Sequence, residues 1–395
     1  YAHGVENKER KDIEGLTLKK KDAMGRDNTG NKKLKIAMLG HKRVPSREGG
    51  IEIVVEELAS RMVAEGHSVT CYNRRGHHVS GAEFDGKQLS EYKGIKIKTV
   101  PTINRKGLAA MTSSFFAAVK AAFGHYDIIH IHAEGPAAMC WIPKLCGKMV
   151  VVTIHGLDWK REKWKGGFGS KYIKFGEKCT VKFADQIIVL SEGVRNYFMD
   201  TYGRKTVFIP NGVNRPVKRE PDEIRKRWGL EKDSYILFLG RLVPEKGLRY
   251  LVEAYKGLKT YKKLVIAGGG SDTDAFAKEL KQSCAGLEDS VIFTGFIQGK
   301  TLDELYGNCY LYVLPSDLEG MPLSLLEAMS YGNCCVVSDI EECKSVITDT
   351  DGSQNAAVFR KSDVEDLTGK LRMLLDNDTL VQKYKDEAAD YICEK

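Results

Sequence analysis

From residue 34 onward the chain alternates between two hydrophobic periods. LKIAMLG (34–40) is an apolar run of strand length. After a glycine-containing loop, Ile51, Val54, Val55, Leu58 and Met62 recur at the spacing of one helix face. Further strand-length runs stand at SVTCY (68–72), DIIHIH (127–132), MVVVTIH (149–155) and QIIVLS (186–191), with helical segments between them. The series restarts with YILFLG (235–240), KLVIAGG (263–269), SVIFTG (290–295), LYVLPS (311–316) and CCVVSD (334–339), each followed by a helix candidate. Strands alternating with helices predict right-handed β-α-β units and parallel sheets. Between the two series, IPNGVNRPVKREP (209–221) carries three Pro, two Asn and one Gly and reads as a linker. The expected architecture is therefore α/β, with two facing Rossmann-like doubly wound domains, 34–214 and 215–377. Ligands bind such sheets at the strand carboxyl ends, here in an interdomain cleft. Residues 1–33 lack apolar periodicity and are expected to be a disordered leader outside the fold.

Composition narrows this picture. A chain of 395 residues suits two domains, and 42% apolar with 29% charged residues excludes a disordered or disulfide-stapled chain. No apolar run reaches 18 residues without a charge or Pro, so no membrane-spanning helix is expected. The ten Cys show neither zinc-site spacing nor a disulfide framework, and the first residues lack an apolar signal core; the expected location is the cytoplasm. The net charge of +8 favours an anionic partner, and it is concentrated: Trp159 to Lys182 holds eight Lys/Arg against two acids. A nucleic-acid binder basic throughout, with a recognisable motif, is not indicated.

Two motifs carry candidate chemistry. GRLVPEKG (240–247) directly follows a strand, so Arg241 and Lys246 stand where ligands bind, and two such cations can flank a diphosphate. SDLEGMPLSLLEAMSYG (316–332) predicts a helix bracketed by Pro322 and Gly332. Its first amides can meet a phosphate, and Glu319 and Glu327 can accept hydrogen bonds from sugar hydroxyls. Glu327 lies between Leu326 and Ala328, where an unpaired charge is costly.

The pair Glu319…Glu327, preceded by Arg241…Lys246, resembles glycosyltransferase family 4, retaining enzymes of GT-B fold. LGHKRVPSREGGIEIVVEELA (39–59) is similar to its bacterial rhamnosyltransferase-type subgroup of surface polysaccharide assembly. The resemblance implies that Arg241 and Lys246 hold the donor diphosphate, Glu319 the transferred sugar and Glu327 the ribose. It also implies that Gly49 and Gly50 approach donor phosphate or acceptor by backbone, that His155 lies near the reacting sugar, and that Gly295 and Phe296 line the base. Transfer would be metal-independent, from a nucleotide diphosphate-sugar to a growing, lipid-linked glycan, with no cofactor. The linker near Asn211 to Pro216 would act as a hinge, and residues 378–395 would form a helix crossing back to the first domain. Pro322, where many relatives have Gly, leaves the sugar contacts to the amides of Gly320, Met321 and Leu323. Ile340-Glu341-Glu342 replaces a Gly-rich turn and brings acids near the cleft. A nucleotide-sugar epimerase on the same fold and a non-catalytic sugar-nucleotide-binding protein are the alternatives.

Other signals are weighed against this reading. D-x-D occurs at Asp272/Asp274, Asp349/Asp351 and Asp376/Asp378, but three-residue patterns recur by chance and no metal is expected at any of them. His130 and His132 share a strand face and, with His155, could form a metal trio; histidines that line a cleft or sit buried are the plainer account. Gly268-Gly269-Gly270 does not complete a dinucleotide fingerprint. Within WKREKWKGGFGSKYIKF (159–175) and beyond, Lys171, Lys174, Lys178 and Lys182 form a basic stripe. Residues 159–182 are a candidate peripheral contact with anionic membrane at the inner face of the cell membrane, with Trp159 or Trp164 at the interface.

Overall fold

The computed structural model describes residues 32–76, 89–103, 105, 108–161, 167–270 and 275–395. The first sheet comprises β1 (Lys35–Leu39), β2 (Ser68–Arg74), β3 (Glu91–Tyr92), β4 (Ile95–Val100), β5 (Ile128–His132), β6 (Met149–Ile154), β7 (Gln186–Val189) and β8 (Val207–Phe208). Their order is β3-β4-β2-β1-β5-β6-β7-β8, parallel throughout except for the β3–β4 pair. The second sheet comprises β9 (Tyr235–Leu239), β10 (Lys263–Ala267), β11 (Val291–Gly295), β12 (Leu311–Leu314), β13 (Cys335–Ser338) and β14 (Ala357–Phe359), ordered β11-β10-β9-β12-β13-β14 and wholly parallel. The two expected doubly wound sheets are present, one on each side of the Pro-rich segment. Most central strands are continuous apolar runs because helices cover both sheet faces.

Four strands fall outside the sequence-based reading. β4 reads IKIKTV, with Ile95 and Ile97 buried and Lys96 and Lys98 exposed; its alternation marks a strand toward the sheet edge. β3, β8 and β14 have only two or three residues, too few for a period.

Strand order reverses beside β1, flanked by β2 and β5, and beside β9, flanked by β10 and β12. The crevices open at those carboxyl ends, and glycine lets the chain turn there. At Gly247, with φ of +68°, an added Cβ would lie 1.8 Å from the Pro315 carbonyl oxygen. The turn after β9 thus lies directly against the end of β12, which draws Lys246 toward the loop carrying Glu319.

The expected crossing-back of residues 378–395 is corrected. Helix Asp378–Glu394 buries Val381, Ala388 and Ile392 in the core of the second domain, beside helix Leu323–Ser330. Tyr310 donates to Asp378, and Lys385 pairs with Asp233 at 2.5 Å. The helix has one apolar stripe, and that stripe completes the second core. Only Arg215, paired with Asp390 at 3.1 Å, joins this helix to the interdomain segment among the described ion pairs.

Candidate active site

β5 and β6 deliver three imidazoles to the end of the first sheet. His130 and His132 share a face as their alternation predicts, with ring centroids 4.2 Å apart. His132 Nδ1 and His155 Nε2 share a hydrogen bond of 3.1 Å, and His130 Nε2 pairs with Thr153 Oγ1 at 2.7 Å. Burial pushes His155 down to about 4 and His130 to about 3, and holds His132 well below the usual imidazole range. The rings are therefore neutral at pH 7. Among the described residues no group of three His, Cys, Asp or Glu is placed to hold a metal ion. Asp272 and Asp274 lie outside the described residues, as do His77, His78 and Trp164.

A titration checks this cluster. The NMR imidazole signals of His130 and His155 are expected to stay constant from pH 8 to pH 5. The unfolded chain protonates near 6.5 while these folded imidazoles do not, so the unfolded state binds more protons. Their stabilising contribution is complete above about pH 7 and is lost as the pH falls toward 4. A midpoint near 6.5 for either ring would show that it is not buried as described.

Facing the imidazoles is a cluster of cations and carboxylates. Lys246, in the turn Pro244–Lys246 after β9, binds Glu319 Oε1 at 2.5 Å, and Ser316 Oγ donates to the same oxygen at 2.7 Å. Arg241 is half-buried, and desolvation first, then the charge of Arg161, lowers its pKa. Arg161 comes from the first domain, six residues beyond His155, and pairs with Asp158 at 2.7 Å. Asp158 raises its pKa most, with Glu319 and Glu245 adding across the cleft. Sequence reading placed Arg161 in the basic stretch 159–182, a candidate membrane contact; its closeness in the chain to His155 was the available signal. Glu342, in the first turn of helix Glu341–Ile347, is partly buried, and burial raises its pKa, with Glu319 contributing in the same direction.

The loop bearing Arg161 is anchored by buried carboxylates that sequence reading missed. Glu134 Oε2 accepts from the Asp158 amide at 2.8 Å. Glu177 accepts from the Trp159 indole at 3.2 Å, from Tyr197 at 2.8 Å and from Tyr202. Burial raises the Glu134 carboxyl well above its usual range, and Asp158 and Glu177 reinforce this. Trp159 is thereby turned inward, with the Lys174 ammonium 4.1 Å from its ring centroid, so it is not the expected interface anchor.

The domains meet through small residues. An added Cβ on Gly320 would lie 1.6 Å from the His155 carbonyl oxygen, and one on Gly50 would lie 3.2 Å from Leu323 Cδ1. Gly49 is the N-cap of helix Gly50–Ala64. The Asn211 amide lies 3.0 Å from Met321 Sδ. Glu327 is paired, as its apolar setting demands: Arg47 of the first domain donates at 3.3 Å and Tyr306 OH at 3.2 Å. Burial still raises its pKa. Arg47, Phe296, Leu323 and Glu327 line an interdomain cavity of about 760 Å³. Gly295, with φ of +71°, turns the chain into Phe296, whose Cβ lies 3.7 Å from the position of a Cβ on Gly269. Arg241, Lys246 and Glu319 are not among the described lining residues of this cavity; they form the cluster that faces His155.

Two family models match the chain, one over each domain. Residues 48–215 match the model of Glycosyltransferase Family 4 and residues 220–391 that of Glycosyl transferases group 1. The chain is accordingly a glycosyltransferase of GT-B fold and of the family-4 type. It is 28% identical to an uncharacterized glycosyltransferase of Methanocaldococcus jannaschii over 333 residues, 80% of this chain and 83% of that one. It is 29% identical to the N,N'-diacetylbacillosaminyl-diphospho-undecaprenol alpha-1,3-N-acetylgalactosaminyltransferase of Campylobacter jejuni, over 54% of this chain and 61% of that one. In fold it is similar to the Anabaena protein HepE solved with UDP and glucose, with a TM-score of 0.75 and 18% identity, covering 91% of this chain and 95% of that one.

Proposed function

We propose that the protein transfers a sugar, with rhamnose as the leading candidate, from a nucleoside diphosphate donor to a growing lipid-linked glycan, with retention and without a metal ion. The product would enter a bacterial capsule or exopolysaccharide. The observation that carries this reading is the Lys246–Glu319 pair beside Arg241 and Arg161, opposite His155. In this reading Arg241 and Lys246 hold the diphosphate, and fixed cations neutralise the charge that develops on the leaving group. Glu319 accepts hydrogen bonds from the transferred sugar, with the amides of Gly320, Met321 and Leu323 alongside. Glu327 orients the ribose, Gly295 and Phe296 flank the base, and Gly49 and Gly50 allow close approach by backbone. His155, neutral and half-buried, stands by the reacting carbon. The named acceptor of the Campylobacter relative, a diphospho-undecaprenol, supports a lipid-linked acceptor here. The work would take place on the cytoplasmic face of the membrane, reached in part through residues 159–182.

Thermal unfolding with UDP, dTDP, GDP and ADP, each in excess EDTA, tests the donor site. A nucleotide at 100 times its Kd stabilises by about 2.7 kcal/mol, roughly 2–4 °C for a chain this size. One nucleotide is expected to shift the midpoint, and the shift to vanish in Lys246→Ala. A shift that appears only when magnesium is restored would overturn the metal-free reading.

A further inference from the structure

The first domain presents an apolar face that its own core does not use. Helix Leu108–Ala122 packs on helix Trp141–Leu145, which packs in turn on helix Phe168–Phe183. Toward solvent these three helices and the residue after the first display Phe115, Phe116, Phe123, Leu145, Phe168 and Phe175. Phe123 is 79% exposed, Phe168 75% and Leu145 72%, values that only Tyr261 matches among the exposed large apolar residues of the described second domain. In helix Phe168–Phe183 the outward stripe runs Phe168, Lys171, Phe175, Lys178, Lys182, so aromatic rings and ammonium groups share one face. A helix folded only for its own domain would turn the phenylalanines inward, as it does Ile173.

Charge identifies what covers this face. No Asp or Glu occurs from Leu108 to Tyr126 or from Trp141 to Leu157, and the single acid of helix Phe168–Phe183, Glu177, is buried on the opposite side. Lys120, Lys171, Lys178 and Lys182 are exposed. A surface that combines outward Phe and Leu with Lys, and on which the half-exposed Asp185 is neutralised by Lys144 at 2.5 Å, is complementary to an anionic lipid interface. Rings enter the acyl boundary while the ammonium groups reach phosphate headgroups.

We propose that the face formed by these three helices docks the first domain on an anionic phospholipid bilayer, with Phe123, Leu145 and Phe168 inserting and the lysines pairing with headgroups. The inference rests on the lipid-linked acceptor proposed above and extends the contact from the basic stretch to the helix at 108–122, which the sequence did not single out. Flotation with phosphatidylcholine vesicles, with and without phosphatidylglycerol to give a negative surface, tests it. The chain is expected to float with the anionic vesicles at low salt and to lose most, not all, of this binding in high salt. The double substitution Phe123→Asp and Leu145→Asp, at exposed positions that leave the core intact, is expected to weaken binding by tenfold or more. Its unfolding midpoint and nucleotide-induced shift should equal those of the unmodified chain, so that failure of docking is read separately from failure of the donor site. Absence of binding to anionic vesicles at low salt, or undiminished binding by the double variant, overturns the proposal. So does a lipid-free dimer that the same substitutions abolish in sedimentation, because a second copy would then cover the face.

Discussion

Lys246→Ala is expected to lower kcat/KM for sugar transfer by about 10²–10³-fold, the cost of removing one preorganised group that meets developing charge. Its ammonium lies 2.5 Å from Glu319 Oε1 in a nearly closed site, with 13% of the lysine side chain and 9% of the glutamate exposed. There the interaction is strong, and water replaces it poorly. Glu319→Gln tests the other half of the pair. It preserves shape and can still accept from Ser316 Oγ, whose present bond is 2.7 Å, yet it removes the charge that holds Lys246 in place. Transfer should fall to a similar extent, with far-ultraviolet circular dichroism unchanged because both groups lie on loops at strand ends rather than in either core. Steady-state transfer to a soluble acceptor analogue measures both variants. Full turnover in either would falsify the assignment of this pair to the reacting sugar and diphosphate.

Gly320→Ala is expected to cost about 10²-fold in turnover, the order associated with a misplacement of 1 Å at a reacting centre. Space rather than backbone conformation is limiting. The new methyl would sit 1.6 Å from the His155 carbonyl oxygen and 2.7 Å from its carbon, both main-chain atoms that no rotamer change can move. The loop carrying Glu319 would have to withdraw from His155, pulling the two domains apart at the reacting position. Each core lies elsewhere and should remain intact, so the midpoint of thermal unfolding should change far less than the rate. Turnover equal to that of the unmodified chain would show that the close approach of Gly320 to His155 is not required in the reacting state.

Much of the second domain's share of the candidate site was legible in the sequence because its signals are local. A strand followed at once by GRLVPEKG places Arg241 and Lys246 at a strand end, and Pro322 and Gly332 bracket a helix within a short span. Such inferences need only the strand period, helix capping and the rule that parallel sheets bind ligands at their carboxyl ends. Glu327 was suspect for the same kind of reason: a charge among apolar neighbours needs a partner. Which partner was not legible, because Arg47 lies 280 positions away in the other domain.

What the sequence by itself determined is therefore the two α/β units, the segment between them and the residues at each strand end, since all of these rest on periods and caps spanning a few residues. Only the tertiary structure decided that Arg161 joins the cation cluster, that Glu134 and Glu177 anchor its loop, and that Trp159 turns inward. It also decided that the terminal helix completes the second core and that the phenylalanines from 115 to 123 remain in solvent. Each of these depends on how segments distant in the chain pack and exclude water. Apolar periodicity tells which residues can be buried, whereas the choice among competing apolar faces is made by the shape and charge of what arrives to cover them.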